Sequence, residues 1–166
     1  MSDTPNSQAN AVVLGVGNLL LSDEGVGVHV VHQLMKMTLP QGVAVIEGGV
    51  YGLALVDVVA KAHRLIVVDA VRGGGAPGTI YRFGPEELFL GSDGYKMSVH
   101  EIGILEVIRL AGLVGQAPQT TIIGVEPGSL EMGMELSPEI QAKVPRIIEL
   151  VVGELKSSAS FGPGLA

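Results

Sequence analysis

Five acidic residues and one histidine stand where this sequence could do chemistry: Asp23, Glu24, Glu47, Asp69, Glu126 and His100. Asp23 and Glu24 follow the apolar run AVVLGV in the stretch GVGNLLLSDEG, Glu47 closes VAVIE, and Glu126 closes QTTIIGVE. Asp69 interrupts the apolar run IVVDAV, where a carboxylate is costly unless it is paired or bound to a metal. An acidic residue at a strand end also serves as a helix cap or turn former, and that reading competes for Asp23 and Glu47. His100 could equally cap or pack against a helix. His29, His32 and His63 lie within or beside helical stretches and carry no chemical assignment. Taken together, Glu24, Asp69 and His100 form a mixed ligand set of one imidazole and two carboxylates. It suits borderline divalent ions such as nickel, zinc or iron. Three ligands leave coordination positions open, which marks a working site and not a structural one.

These residues need elements to bring them together. Short apolar runs predict strands over Ala11–Val16, Val43–Glu47, Arg64–Val71, Gly78–Phe83 and Gln119–Glu126. Helical spacing predicts helices over Gly25–Met37, Gly52–Lys61 and Val99–Leu113, and a last one from Ser137 as N-cap and Pro138 to about Lys156, kinked at Pro145. Alternating strands and helices imply a mostly parallel sheet covered on both faces. One link breaks the pattern. RGGGAP, residues 72–77, is too short for a parallel crossover, so the fourth strand must run antiparallel.

Ligands of open α/β sheets bind at the carboxyl ends of the parallel strands. Glu24 and Asp69 fall there directly. His100 opens the helix that precedes the fifth strand, and a helix preceding a parallel strand starts at the strands' carboxyl end. The fifteen residues 84–98 are long enough to climb back to it. Three residues distant in sequence thus converge on one rim.

Composition narrows the classes. The 166 residues are 47% hydrophobic and 16% charged, enough for one packed domain. Residues 1–10 and 157–166 read as flexible ends around a single domain at 11–156. Mean hydropathy is +0.46, yet no apolar run approaches the ~20 residues of a membrane span. With no cysteine, disulfides, thiolate sites and a cysteine nucleophile are excluded. A net charge of −7 without clustered Lys or Arg argues against nucleic acid. The polar start MSDTPNSQAN points to the cytoplasm. GVGNLL follows a strand as a dinucleotide loop does, but Leu20 replaces the third glycine and Asp23-Glu24 would repel a pyrophosphate. No G-x-S-x-G or H-E-x-x-H occurs.

The segments GVGNLLLSDEGVGVHVV (15–31), EGGVYG (47–52), LIVVDAV (65–71), APGTIYRF (76–83), SVHEIGI (98–104) and GVEPGSLE (124–131) resemble the hydrogenase maturation proteases. They occur in family order and cover residues 11 to about 156. The resemblance implies a three-layer α/β/α sandwich with a five-stranded mixed sheet, order 2-1-3-5-4, strand four antiparallel. It implies that Glu24, Asp69 and His100 contact nickel, with Glu24 or Asp69 as general base, and that position 47 is often Asp where this chain has Glu47. It further implies an endopeptidase that removes the C-terminal extension of a nickel-loaded precursor of a nickel–iron hydrogenase large subunit. The nickel would be supplied largely by that precursor, and another divalent ion could stand in for it. A nickel-binding checkpoint or chaperone module without hydrolytic activity, and a Rossmann-like nucleotide-binding protein, are the alternatives.

Overall fold

In the computed structural model, Ala11–Val16 (β1), Val43–Gly49 (β2), Arg64–Ala70 (β3), Ile80–Phe83 (β4) and Gln119–Val125 (β5) form one sheet in the order β2-β1-β3-β5-β4. The structure describes residues 10–49, 52–88 and 99–159; at 49, 52, 88, 99–102, 158 and 159 only the backbone is described. The expected flexible ends lie almost wholly outside these residues. β1 pairs in parallel with β2 and β3, and β3 with β5. β4 runs antiparallel to β5, as the short 72–77 link requires.

The helices are Val26–Leu34 (α1), Val56–Lys61 (α2), Val99–Val114 (α3) and Pro138–Ala159 (α4). α1 and α2 are each entered through a single 3-10 turn, Ser22–Gly25 and Gly52–Leu55; the second occupies the first turn of the helix expected over Gly52–Lys61. α4 runs through Pro145 and beyond Lys156, so the ring removes a backbone bond without ending the helix.

Period-two alternation sorts the sheet's side chains into two cores. Val13, Ile66, Val68, Ile123 and Val125 pack with α1 and α4. Val12, Leu14, Leu65, Val67 and Ile122 pack with α2 and α3. The result is helices, sheet, helices. β1 and β3 are buried along their whole length, which is why both read as nearly unbroken apolar runs. No helix among the described residues is long and apolar enough to cross a membrane.

Candidate active site

Glycines let the first loop fold back against the sheet. A Cβ on Gly17 would come within 1.9 Å of the Glu24 carbonyl oxygen, and Gly17 has φ +138°. A Cβ on Gly27 would meet the Val68 and Val16 carbonyl oxygens at 2.1 and 2.5 Å. Only glycine permits such approaches. A Cβ on Gly15 would likewise meet the Gly27 carbonyl oxygen at 2.2 Å, so both glycines of GVGN are consumed in seating the Ser22–Gly25 turn and α1 on the sheet, and no phosphate is needed to explain them.

The turn carrying Asp23 and Glu24 packs against β3. Asp69 is the penultimate residue of that strand, opposite Gly124 of β5, and is 2% exposed. Its Oδ1 accepts the Ala70 N–H at 2.8 Å. Leu65, Val67 and Val71, which share its side of the alternation, belong to the core beneath α2 and α3. Asp69 thus lies on the face covered by the layer to which α3 belongs. α3 precedes β5, which is parallel to β3, so α3 begins at the strands' carboxyl end. His100 is its second residue; its side chain is outside the described residues. Among the described side chains, which do not include that of His100, no group of three His, Asp or Glu is gathered closely enough to hold a metal.

The other acidic residues have structural work. Asp23, fully buried, is an organiser of the rim. Its Oδ2 accepts the N–H groups of Gly128 and Ser129 at 2.9 and 2.7 Å and the Ser137 hydroxyl at 2.8 Å; its Oδ1 accepts the Ser137 N–H at 2.7 Å. The expected N-cap Ser137 is thereby held by a carboxylate more than a hundred residues earlier in the chain, a favourable charge at a helix start. Ser22 adds to the clasp. It adopts φ 50°, rare for a non-glycine residue; its N–H donates to Gly133 O at 2.8 Å and its hydroxyl to Glu131 O at 2.6 Å. Glu126 accepts the Gly73 N–H and the Tyr81 hydroxyl, both at 2.7 Å, and so braces the turn between β3 and β4.

Glu47 stands inside β2, not at its end, just before a bulge that sets Gly15 against Glu47 and Val16 against Gly49. Its Oε2 meets His32 Nε2 of α1 at 2.7 Å. Val43 and Val45, in register with it, pack towards α1 and α4, so Glu47 sits on the sheet face opposite Asp69. Sequence reasoning passed over two histidines with identifiable roles. His32 fixes Glu47. His29 is hydrogen-bonded to the Met134 backbone, and its burial lowers its pKa below the ordinary 6.5.

Comparison with known proteins decides the family. A model of the hydrogenase maturation proteases matches residues 28–154. The chain belongs to that family. The hydrogenase expression/formation protein HupD of Thiocapsa roseopersicina is 40% identical over 161 residues, 94% of this chain and 71% of the relative. The hydrogenase 2 maturation protease of Escherichia coli (strain K12) is 37% identical over 153 residues, covering 89% and 91%. The solved structure of the hydrogenase maturating endopeptidase HybD from E. coli superposes with a TM-score of 0.80 at 35% identity, covering 90% of this chain and 93% of that one. The fold expected from the resemblance is the one observed, and as a family member the protein is a maturation endopeptidase.

Proposed function

We propose that the protein removes a C-terminal extension from the precursor of a nickel–iron hydrogenase large subunit, and that Glu24, Asp69 and His100 read nickel already held by that precursor. The observation that carries the site assignment is Asp69. A carboxylate 2% exposed near the end of a central strand is expensive to bury, and its side of the sheet is the one under α3, whose second residue is His100. Two carboxylates and one imidazole make a modest site for a free divalent ion, because nickel is held best where imidazole or thiolate dominates. An ion already carried by the substrate needs few further contacts, so the protein tests whether the precursor is loaded. Bound nickel supplies Lewis-acid polarisation at the scissile region. Glu24 and Asp69 are the carboxylates available to take a proton from attacking water.

Mass spectrometry of a large-subunit precursor before and after incubation with the protein is the test. Loss of a C-terminal peptide from nickel-loaded precursor, with nickel-free precursor intact, is the expected outcome. Equal processing of both forms removes the metal-reading role and leaves the protease assignment standing. Binding of loaded precursor without cleavage favours the checkpoint alternative.

A further inference from the structure

The clasp at the rim displays apolar side chains to solvent. Leu20 is 57% exposed, Met132 89% and Met134 63%. They lie on two loop segments joined by an isolated parallel bridge between Leu21 and Gly133, with the Gly133 N–H donating to Leu20 O at 2.9 Å and the Ser22 N–H to Gly133 O at 2.8 Å. The Met134 backbone is held from below by His29, and the base of the same loop by Asp23. The backbone under these three side chains is therefore tied down at several points. Apolar groups on an anchored frame lose little freedom when covered, which favours binding. Methionine adapts its shape to whatever covers it. Local charge is one-sided: residues 17–25 and 126–139 contain Asp23, Glu24, Glu126, Glu131, Glu135 and Glu139 and no Lys or Arg. Glu131 and Glu135, which bracket the two methionines, are exposed.

We infer that Leu20, Met132 and Met134, with Glu131 and Glu135 beside them, form the docking surface for an apolar and basic segment of the large-subunit precursor. The inference rests on the proposed function and names how that substrate is held. An apolar centre fits apolar side chains, and its acidic border selects Lys or Arg over acidic neighbours and speeds encounter through long-range attraction. The surface adjoins the turn that carries Glu24 through the Leu21–Gly133 bridge, so a segment seated there lies beside one of the proposed metal-reading carboxylates. It is also distinct from that site in its residues, because it contains none of Glu24, Asp69 and His100.

Cleavage kinetics on nickel-loaded precursor separate these roles. Met132→Ser with Met134→Ser, at two solvent-exposed positions, is expected to raise KM about tenfold and leave kcat unchanged, the signature of lost uniform binding. Glu131→Gln with Glu135→Gln is expected to raise KM severalfold at low salt and to flatten its salt dependence. An unchanged KM in the methionine variant overturns the docking surface. So does a fall in kcat alone, or a wild-type dimer that the methionine variant dissolves while KM stays the same, since the occupant is then a second copy. If wild-type protein cleaves nothing, the proposed function fails, and direct titration of wild type and variant with loaded precursor still decides: about tenfold weaker binding by the variant supports the surface, and equal or absent binding overturns it.

Discussion

The two ends of the sheet treat buried carboxylates in opposite ways. At the amino end of β3, Glu154 of α4 receives Arg64 at 2.5 Å and also Arg82, while Arg64 donates to Thr121 at 2.8 Å. The side chains of Arg64 and Glu154 are 10% and 11% exposed. Charge meets charge there, and the result is a clamp between sheet and helix. At the carboxyl end, Asp23 and Glu126 are met by backbone N–H groups and hydroxyls. Those donors satisfy the oxygens without cancelling the charge. One end pairs charge with charge and holds the fold; at the other, Asp23 and Glu126 are hydrogen-bonded by neutral donors and keep their charge, which favours cations and basic segments nearby.

That contrast predicts that the ends fail differently. The largest effect is expected at Asp69, where Asp69→Asn keeps the shape and the acceptor for the Ala70 N–H while removing the charge. Processing of loaded precursor should fall by at least about 10³, which is about 4 kcal/mol of transition-state stabilisation, with the melting temperature within about 2 °C of wild type. A large loss of stability with partial activity would make Asp69 part of a clamp like the one at the other end.

Glu154→Ala should do the reverse. It strands Arg64 without its buried partner, for which about 3 kcal/mol is typical, or about 10 °C in melting temperature for a chain of this length. Cleavage at a temperature where the variant is folded should be near normal. The pH dependence has a defined sign. The hydrogen bond from Arg82, and after it the positive charges of Arg82 and Arg64, hold the Glu154 carboxyl below its ordinary 4.5 against the opposing pull of burial. A lowered folded-state pKa contributes stability that is complete above the unfolded value and is lost as pH falls through the folded one. Wild type and Glu154→Ala should therefore converge in stability as pH falls below about 4.5, and thermal scans between pH 7 and 3 read this directly.

Asp23→Ala is expected to cost less, about 2 kcal/mol, because water can reach the Gly128 and Ser129 N–H groups it abandons. Its signature is local. Amide exchange should accelerate in residues 126–137 while β3 stays protected, and KM for loaded precursor should rise as the clasp loosens. Uniform acceleration across the sheet would mean that Asp23 supports the whole fold.

Which of these roles the sequence revealed follows from how far apart the partners are. Asp69 was legible because it breaks an apolar run, and the antiparallel β4 because RGGGAP cannot span a crossover. The start of α4 was legible from Ser137-Pro138. The convergence of Glu24's turn with β3 followed from strand order alone. Asp23 was not separable from its neighbour, since the groups it binds lie 105 to 114 residues away. Arg64 read only as a strand's first residue, with Glu154 90 positions later. Glu47 read as a strand's last residue because a bulge is invisible to periodicity; the register that turns it towards His32 is a property of two strands together.

The smallest expected effect tests whether the contrast extends to that pair. His32 and Glu47 lie at the carboxyl half of the sheet and do pair side chain to side chain, at 2.7 Å, which on distance alone resembles the Arg64–Glu154 clamp. Exposure separates them. The His32 and Glu47 side chains are 42% and 44% exposed, so water already solvates both groups and ordering two side chains offsets much of the attraction. A double-mutant cycle with His32→Ala and Glu47→Gln should give a coupling below about 1 kcal/mol, weakened further by salt. The matching cycle with Arg64→Met and Glu154→Gln should give about 3 kcal/mol and change little with salt, because low exposure shields that pair from screening. Equal couplings would mean that side-chain pairing braces both ends alike, and the negative field at the carboxyl end would then have to come from Asp23, Glu24 and the glutamates of residues 126–139 alone.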